Sequence, residues 1–130
     1  MCATDDCYSI ELASSGCTTN DACAKVSVRK CSGFCSPVNY TTGGSSISVV
    51  AADFNNDGKV DLASANFADD NVSILNGIGD GTFSVSGTTY AVGDAPNNIL
   101  SADFNNDGKV DLAAGNSISE AISILLGNGD

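Results

Sequence analysis

The chain has 130 residues, 42% of them hydrophobic, with 5 basic residues against 16 acidic ones, no His and a formal net charge of −11. That balance excludes the basic footprint a nucleic-acid partner requires and sets the chain against an anionic membrane surface. The lack of His removes the commonest general base, and with it Ser-His and Cys-His nucleophilic chemistry, so an enzyme is not expected.

All six cysteines, Cys2, Cys7, Cys17, Cys23, Cys31 and Cys35, fall in the first 35 residues. An even, dense set in so short a segment reads as up to three disulfides, and hence as a secreted or cell-surface protein. Zinc is the competing reading, because Cys2 with Cys7 and Cys31 with Cys35 have loose knuckle spacing, although Cys17 and Cys23 would be left over. The start, Met-Cys-Ala-Thr-Asp-Asp, has neither the basic nor the apolar part of a secretion signal, so a secreted protein would carry that signal outside these residues. No stretch approaches the 18 apolar residues of a membrane span, and membrane insertion is not expected. Asn39-Tyr40-Thr41 and Asn71-Val72-Ser73 satisfy the glycosylation acceptor pattern, which matters only on a glycosylating route.

Farther along, residues 49–65 read VVAADFNNDGKVDLASA and residues 99–115 read ILSADFNNDGKVDLAAG, an offset of 50. The repeat continues through NVSILNGIGD at 71–80 and AISILLGNGD at 121–130. A weaker echo aligns Ser9–Ser14 with Lys59–Ser64, and Val26–Val28 with Val72–Ile74 after an insertion. The organisation expected is therefore a divergent cysteine-rich repeat or cap over 1–46, one repeat over 47–96 and a second, truncated repeat over 97–130. Ile47–Ala51, Val60–Ala65 and Val72–Leu75 are strand candidates, rich in β-branched residues, and a fourth runs from Thr82 to Tyr90. Asn76-Gly77, Asp80-Gly81 and Asn128-Gly129 read as turns, and Asp94–Asn97 turns the chain into the next copy. The fold class is all-β, with four-stranded, blade-like repeats.

Between the first two strands, Asp53-Phe54-Asn55-Asn56-Asp57-Gly58-Lys59-Val60-Asp61 places oxygen-bearing side chains at loop positions 1, 3, 5 and 9. Asp103, Asn105, Asp107 and Asp111 repeat the arrangement. Calcium accepts six to eight oxygens in a flexible shell, and Gly58 and Gly108 permit the tight turn that aims alternate residues at one centre. The backbone carbonyls of Lys59 and Lys109 stand at position 7. The loop resembles the first part of an EF-hand without its helices, and position 12, Ser64 or Ala114, is not the usual Glu. Phe54 and Phe104, between the ligands, are expected to bury the base of each loop. Core packing is favoured over sugar stacking for Tyr40, Phe67, Phe83 and Tyr90. The adjacent carboxylates Asp69 and Asp70, whose counterparts are Ser119 and Glu120, read as a solvated bend and not as a glycosidase pair.

The run ADFNNDGKVDLA, followed by NVSILNGIGDGTF and a second ADFNNDGKVDLA, resembles the FG-GAP and VCBS-type repeats of extracellular β-propellers, including those of integrin α chains. The resemblance is strong over 47–130 and weak over 1–46. It implies a propeller with Ca2+ in loops at its rim, held by Asp53, Asn55, Asp57, the Lys59 carbonyl and Asp61, then by Asp103, Asn105, Asp107, the Lys109 carbonyl and Asp111. Propellers need about 4 to 8 blades, more than 130 residues supply at 50 per repeat. Two alternatives follow: part of a longer closed propeller, or a short subunit whose blades are completed by assembly into a homopolymer or surface filament. The function expected is a calcium- and disulfide-stabilised extracellular scaffold for adhesion, with other protein chains or surface glycans as partners. A lectin-like propeller and an accessory domain of a secreted hydrolase are the alternatives.

Overall fold

The computed structural model describes residues 8–13, 25–30 and 36–130, the first two segments and residues 86 and 87 by their backbone alone. The chain divides into two compact units, Met1–Asn39 and Tyr40–Asp130. In the first unit, β1 (Tyr8–Ala13) and β2 (Lys25–Lys30) pair antiparallel with Ile10 opposite Val28. These are the segments matched above to repeat strands.

The second unit is an antiparallel meander broken into two sheets. The first has the order β3-β4-β5-β6, formed by Ser46–Ala52, Asp61–Asn66, Asn71–Gly77 and Phe83–Ala91; the second has the order β7-β8-β9, formed by Pro96–Ala102, Asp111–Asn116 and Ala121–Leu125. Each sheet takes its strands in chain order, as short connections favour. The architecture is all-β, with blade-like repeats that do not close on themselves. Among the described residues there is no helix long and apolar enough to cross a membrane.

The 50-residue offset is written into the backbone as well as the sequence. Ser45 and Ala95, Asn56 and Asn106, and Asp70 and Glu120 all have positive φ, between 50° and 62°. Both first strands carry an irregularity at the same place, between Ser46 and Ser48 and between Pro96 and Asn98. A non-glycine residue at positive φ is uncommon, so three matching pairs mark a turn architecture held by context and copied with the repeat.

The core lies between the sheets. Register places Val50, Ala63 and Ile74 on one face of the first sheet; opposite them stand Ile99, Leu112 and Ala114 of the second. Ala63, Ala65, Val72 and Ala114 are fully buried. Alanines at the contact let the sheets approach closely, so dispersion between backbones and methyl groups adds to the burial of Val72, Ile99 and Leu112. At the rim of this contact Ser48 Oγ accepts from the Ile99 amide at 3.3 Å. The first strands of the two sheets are therefore linked at Ser48.

Cysteine contributes nothing to this unit. All six cysteines lie outside the described residues, no disulfide is found among the described residues, and the Tyr40–Asp130 unit contains no cysteine at all. The expectation of a disulfide-stabilised scaffold is thereby corrected: strand ladders, the small-residue core and two buried carboxylates hold the paired sheets. A second correction concerns Asn76-Gly77. Gly77 is not a turn residue but the buried end of β5, and the turn falls later, where the Ile78 amide bonds to the Thr82 carbonyl at 3.0 Å and Gly79 and Gly81 take φ of 92°.

Candidate metal centre

The two loops between β3 and β4 and between β7 and β8 carry the same backbone-to-side-chain bonds atom for atom. In the first, the Asp57 amide donates to Asp53 Oδ1 at 3.1 Å and to Asn55 Oδ1 at 3.0 Å, and the Gly58 amide donates to Asp53 Oδ2 at 2.9 Å. In the second, the Asp107 amide donates to Asp103 Oδ1 at 3.1 Å and to Asn105 Oδ1 at 2.9 Å, and the Gly108 amide to Asp103 Oδ2 at 2.8 Å. One N–H thus gathers the oxygens of positions 1 and 3, and Asx-type bonds wind the loop tightly. Asn56 and Asn106, then Gly58 and Gly108, take the positive φ values that this winding needs.

Position 5 differs slightly between the copies. Asp57 Oδ1 accepts from the Lys59 amide at 2.9 Å, and its Oδ2 pairs with Lys59 Nζ at 2.9 Å. That ammonium holds the Asp57 carboxyl below the usual carboxylate range. In the second loop Asp107 Oδ2 instead accepts from the Asn105 side-chain Nδ2 at 3.1 Å. An exposed ion pair such as Lys59–Asp57 contributes little to stability, but it occupies an oxygen that a cation would use.

Position 9 is the part that sequence reasoning missed. Asp61 and Asp111 are fully buried. Asp61 accepts from the Phe54 amide at 3.0 Å and from the Gly77 amide at 2.7 Å; Asp111 accepts from Phe104 at 2.9 Å and from Gly127 at 2.7 Å. Asp61 therefore ties the start of its loop to the last residue of β5, and Asp111 ties its own to the segment just past β9. The glycine is required: a Cβ on Gly77 would run into the Val60 carbonyl, and one on Gly127 into the Val110 carbonyl. The signal was present in the sequence as a glycine 16 residues after each loop's last aspartate.

The predicted ligands consequently separate into an outer cluster (Asp53 and Asn55, half-buried, with exposed Asp57; Asp103, Asn105 and Asp107, all exposed) and a buried anchor (Asp61; Asp111). Among the described residues no group of three or more His, Cys, Asp or Glu side chains is drawn together as a metal site. In chemistry the donor set suits calcium: hard carboxylate and amide oxygens at alternate positions, with the carbonyls of Lys59 and Lys109 between them, and no soft or nitrogen donor. Each carboxylate or amide oxygen that accepts one N–H bond keeps a second lone pair for a cation.

The other candidate residues are dispersed. Asp69 Oδ2 accepts from the Gly44 amide at 2.7 Å and Asp70 Oδ1 from the Ala95 amide at 2.8 Å, so the two carboxylates fasten different turns and do not converge. Tyr40 and Phe83 pack edge to face, with centroids 5.6 Å apart, and the Tyr40 hydroxyl accepts from the Phe83 amide. Phe67 and Tyr90 are exposed, which corrects the core assignment for those two; so is Phe104, although its counterpart Phe54 packs on the core as expected. Tyr90 lines a groove of about 440 Å3 between the sheets, together with Phe54, Asn55, Asn76, Asn128 and Asp130. Of the two acceptor sequons, Asn39 is exposed, whereas the Asn71 side chain accepts from Asn66 at 2.7 Å and donates to the Asp69 carbonyl at 3.1 Å.

That last bond belongs to a network that also distinguishes the copies. Buried Asn66 donates to Asn71 and to Ser73, and accepts from Ser64 Oγ at 3.3 Å. Its counterpart Asn116 donates to Ser123 at 2.8 Å, but its Oδ1 is buried with no partner. The position of the Ser64 hydroxyl is taken by Ala114, which has none to give.

No curated protein and no solved structure matches this chain. A family model described as an FG-GAP-like repeat matches residues 53–114. The match begins at the first residue of the first loop and ends within β8, just past the second loop. Over that span the chain is similar to FG-GAP-like repeats, with the duplicated loop as the carrier of the likeness.

Proposed function

We propose that the chain is a non-catalytic β-repeat scaffold, working outside the cytosol, in which each of the two loops takes a calcium ion. The observation that carries this reading is the duplication of an oxygen-rich loop already wound by identical hydrogen bonds, so that little ordering remains for a cation to impose. Asp53, Asn55, Asp57 and the Lys59 carbonyl would hold one ion, and Asp103, Asn105, Asp107 and the Lys109 carbonyl the other, with Asp61 and Asp111 fixing the base of each loop. Calcium sites of extracellular modules bind at roughly 10−4–10−3 M. At an ion concentration ten times the dissociation constant, linkage stabilises the fold by about 1.4 kcal/mol per loop.

Isothermal titration with Ca2+ on chelator-treated protein tests the proposal, with two sites and a raised melting temperature as the expected outcome. A flat titration together with a melting temperature unmoved by EDTA would overturn it. A second reading, glycan binding, is favoured by the groove in which exposed Tyr90 faces Asn55, Asn76 and Asn128. It predicts glycan-array signal that Tyr90→Ala removes without unfolding the protein, and a blank array removes this reading.

A further inference from the structure

The first loop makes one contact that neither ligand spacing nor sheet packing requires. Asn56, at loop position 4, is not among the residues suited to a cation, yet its side chain lies against Gly129, in the segment that follows β9 in the other sheet. A Cβ placed on Gly129 would first meet Asn56 Nδ2, at 2.5 Å, and then Cδ of Lys109, position 7 of the second loop, at 3.4 Å. At the equivalent Gly79 the nearest atoms all belong to Lys59, with its Cδ at 3.1 Å. The lysine stem beside the glycine is therefore a feature of each repeat, and Asn56 is the side chain that reaches from the first repeat into the second.

The surroundings of the two loops differ in the same sense. Asp53 and Asn55 are half-buried, and Asn55 lines the inter-sheet groove with Asn128 and Asp130, whereas Asp103 and Asn105 are exposed. Asn56 has φ of 56° and its counterpart Asn106 62°, so the backbones match at this position. Asn56 stands between Asn55 and Asp57, both suited to a calcium ion. Whatever fixes its carboxamide narrows the positions open to these two neighbours, and a loop held in its binding shape loses less freedom when the ion arrives. The Lys59–Asp57 ion pair acts the other way, because a cation must displace it, but a pair this exposed contributes little.

We propose that Asn56 is a positioning residue for the first calcium site, braced by Gly129 of the other repeat, and that this brace makes the first site tighter than the second. The inference rests on the calcium reading above. By linkage, the ion's hold on the loop and the loop's hold on Gly129 strengthen together, so loading the first loop also orders the segment after β9.

Amide NMR of the full chain carrying Asp103→Ala, which silences the second loop, tests this during a Ca2+ titration. The Gly58 amide reports the ion at the first loop and the Gly129 amide reports the brace, and both are expected to shift with one dissociation constant. That constant should be lower than the one measured for the second loop in an Asp53→Ala chain. Asn56→Gly keeps the positive φ and removes the carboxamide; it should weaken the first site about 5-fold, the low end of coupling between sites, and leave Gly129 unmoved by the ion. Asn106→Gly, in the Asp53→Ala chain, makes the same backbone change in the second loop and should alter its affinity far less. Gly129→Ala, at φ of 77° and with its Cβ on Asn56, disturbs the brace from the other side and should repeat the Asn56→Gly result. Melting temperatures in EDTA confirm that each variant is folded. A Gly58 amide that ignores Ca2+ overturns the calcium reading and this proposal with it. A Gly58 amide that responds while Gly129 stays still overturns the brace alone, as does equal affinity at the two loops or equal weakening by the two asparagine substitutions.

Discussion

Replacing Asp61 by Ala separates the two roles open to the last aspartate of the loop motif. The substitution leaves the Phe54 and Gly77 amides without their acceptor, and both bonds, at 3.0 and 2.7 Å, go to a charged group. Such bonds contribute about 1.5–3 kcal/mol each, so the pair is worth about 3–6 kcal/mol before the cost of holding a carboxylate out of water is subtracted. A net loss of about 3 kcal/mol remains, which for a unit of this size lowers the melting temperature by roughly 12–24 °C. Thermal unfolding followed by circular dichroism in EDTA is the assay, because chelation removes any metal contribution from both proteins. The drop should appear in full under those conditions, and Asp61→Asn, which keeps one acceptor oxygen, should lose about half as much. Should Asp61→Ala melt with the wild type in EDTA and differ only when Ca2+ is present, the anchoring role is wrong and Asp61 is a ligand alone.

Ala114→Ser should stabilise the protein by about 1 kcal/mol, by offering the buried Asn116 Oδ1 the hydroxyl that Ser64 gives Asn66; urea unfolding reads it, and no gain would mean that Asn116 is already satisfied. Asp53→Ala and Asp103→Ala should each abolish calcium binding at their own loop and leave the other intact, giving one site per chain by titration. Gly77→Ala should destabilise the protein to a similar extent with or without calcium, since its Cβ meets the Val60 carbonyl and not the outer cluster. For pH, the Thr82 side chain and amide both donate to Asp80 and hold its carboxyl below the usual range. A group depressed in the folded state contributes stability at pH above its unfolded value, and that contribution is lost as pH falls through the folded one. Thr82→Val should therefore move the Asp80 titration upward, as read by carboxyl carbon shifts.

Strand positions were legible because β-branched runs alternate with turn residues: Ile47–Ala51, Val60–Ala65 and Val72–Leu75 each fall within a residue or two of an observed strand. The duplicated loop was legible through identity at a fixed offset. What escaped was which aspartates do which work, since a ligand and a buried acceptor are written with the same residue. Gly77 was misread for a related reason. Asn-Gly is a strong turn signal when the glycine supplies positive φ, but here the glycine is chosen for the space beside the Val60 carbonyl, a demand that no local pattern announces. The fate of Phe104 was equally hidden, because whether a loop-base ring is buried depends on whether another sheet lies against that face.

The division between anchor and outer cluster also bears on what calcium would do in this scaffold. Inter-sheet contact rests on Ala63, Ala65, Val72 and Ala114 together with the Ser48–Ile99 bond, and none of these involves a loop oxygen. Each sheet is closed on its own loop by Asp61 or Asp111, whose acceptor bonds exist without a cation. Ion binding at Asp53 and Asp103 would therefore stiffen loop tips that project from sheets already assembled, and chelation would loosen those tips before it separated the sheets. Hydrogen exchange resolves that order: on adding EDTA, the amides of Asp57, Gly58, Asp107 and Gly108 should lose protection first, while those of β4 and β8 keep theirs. Simultaneous loss at both would place the metal in the core of the fold's stability, contrary to the buried carboxylates' independence of it.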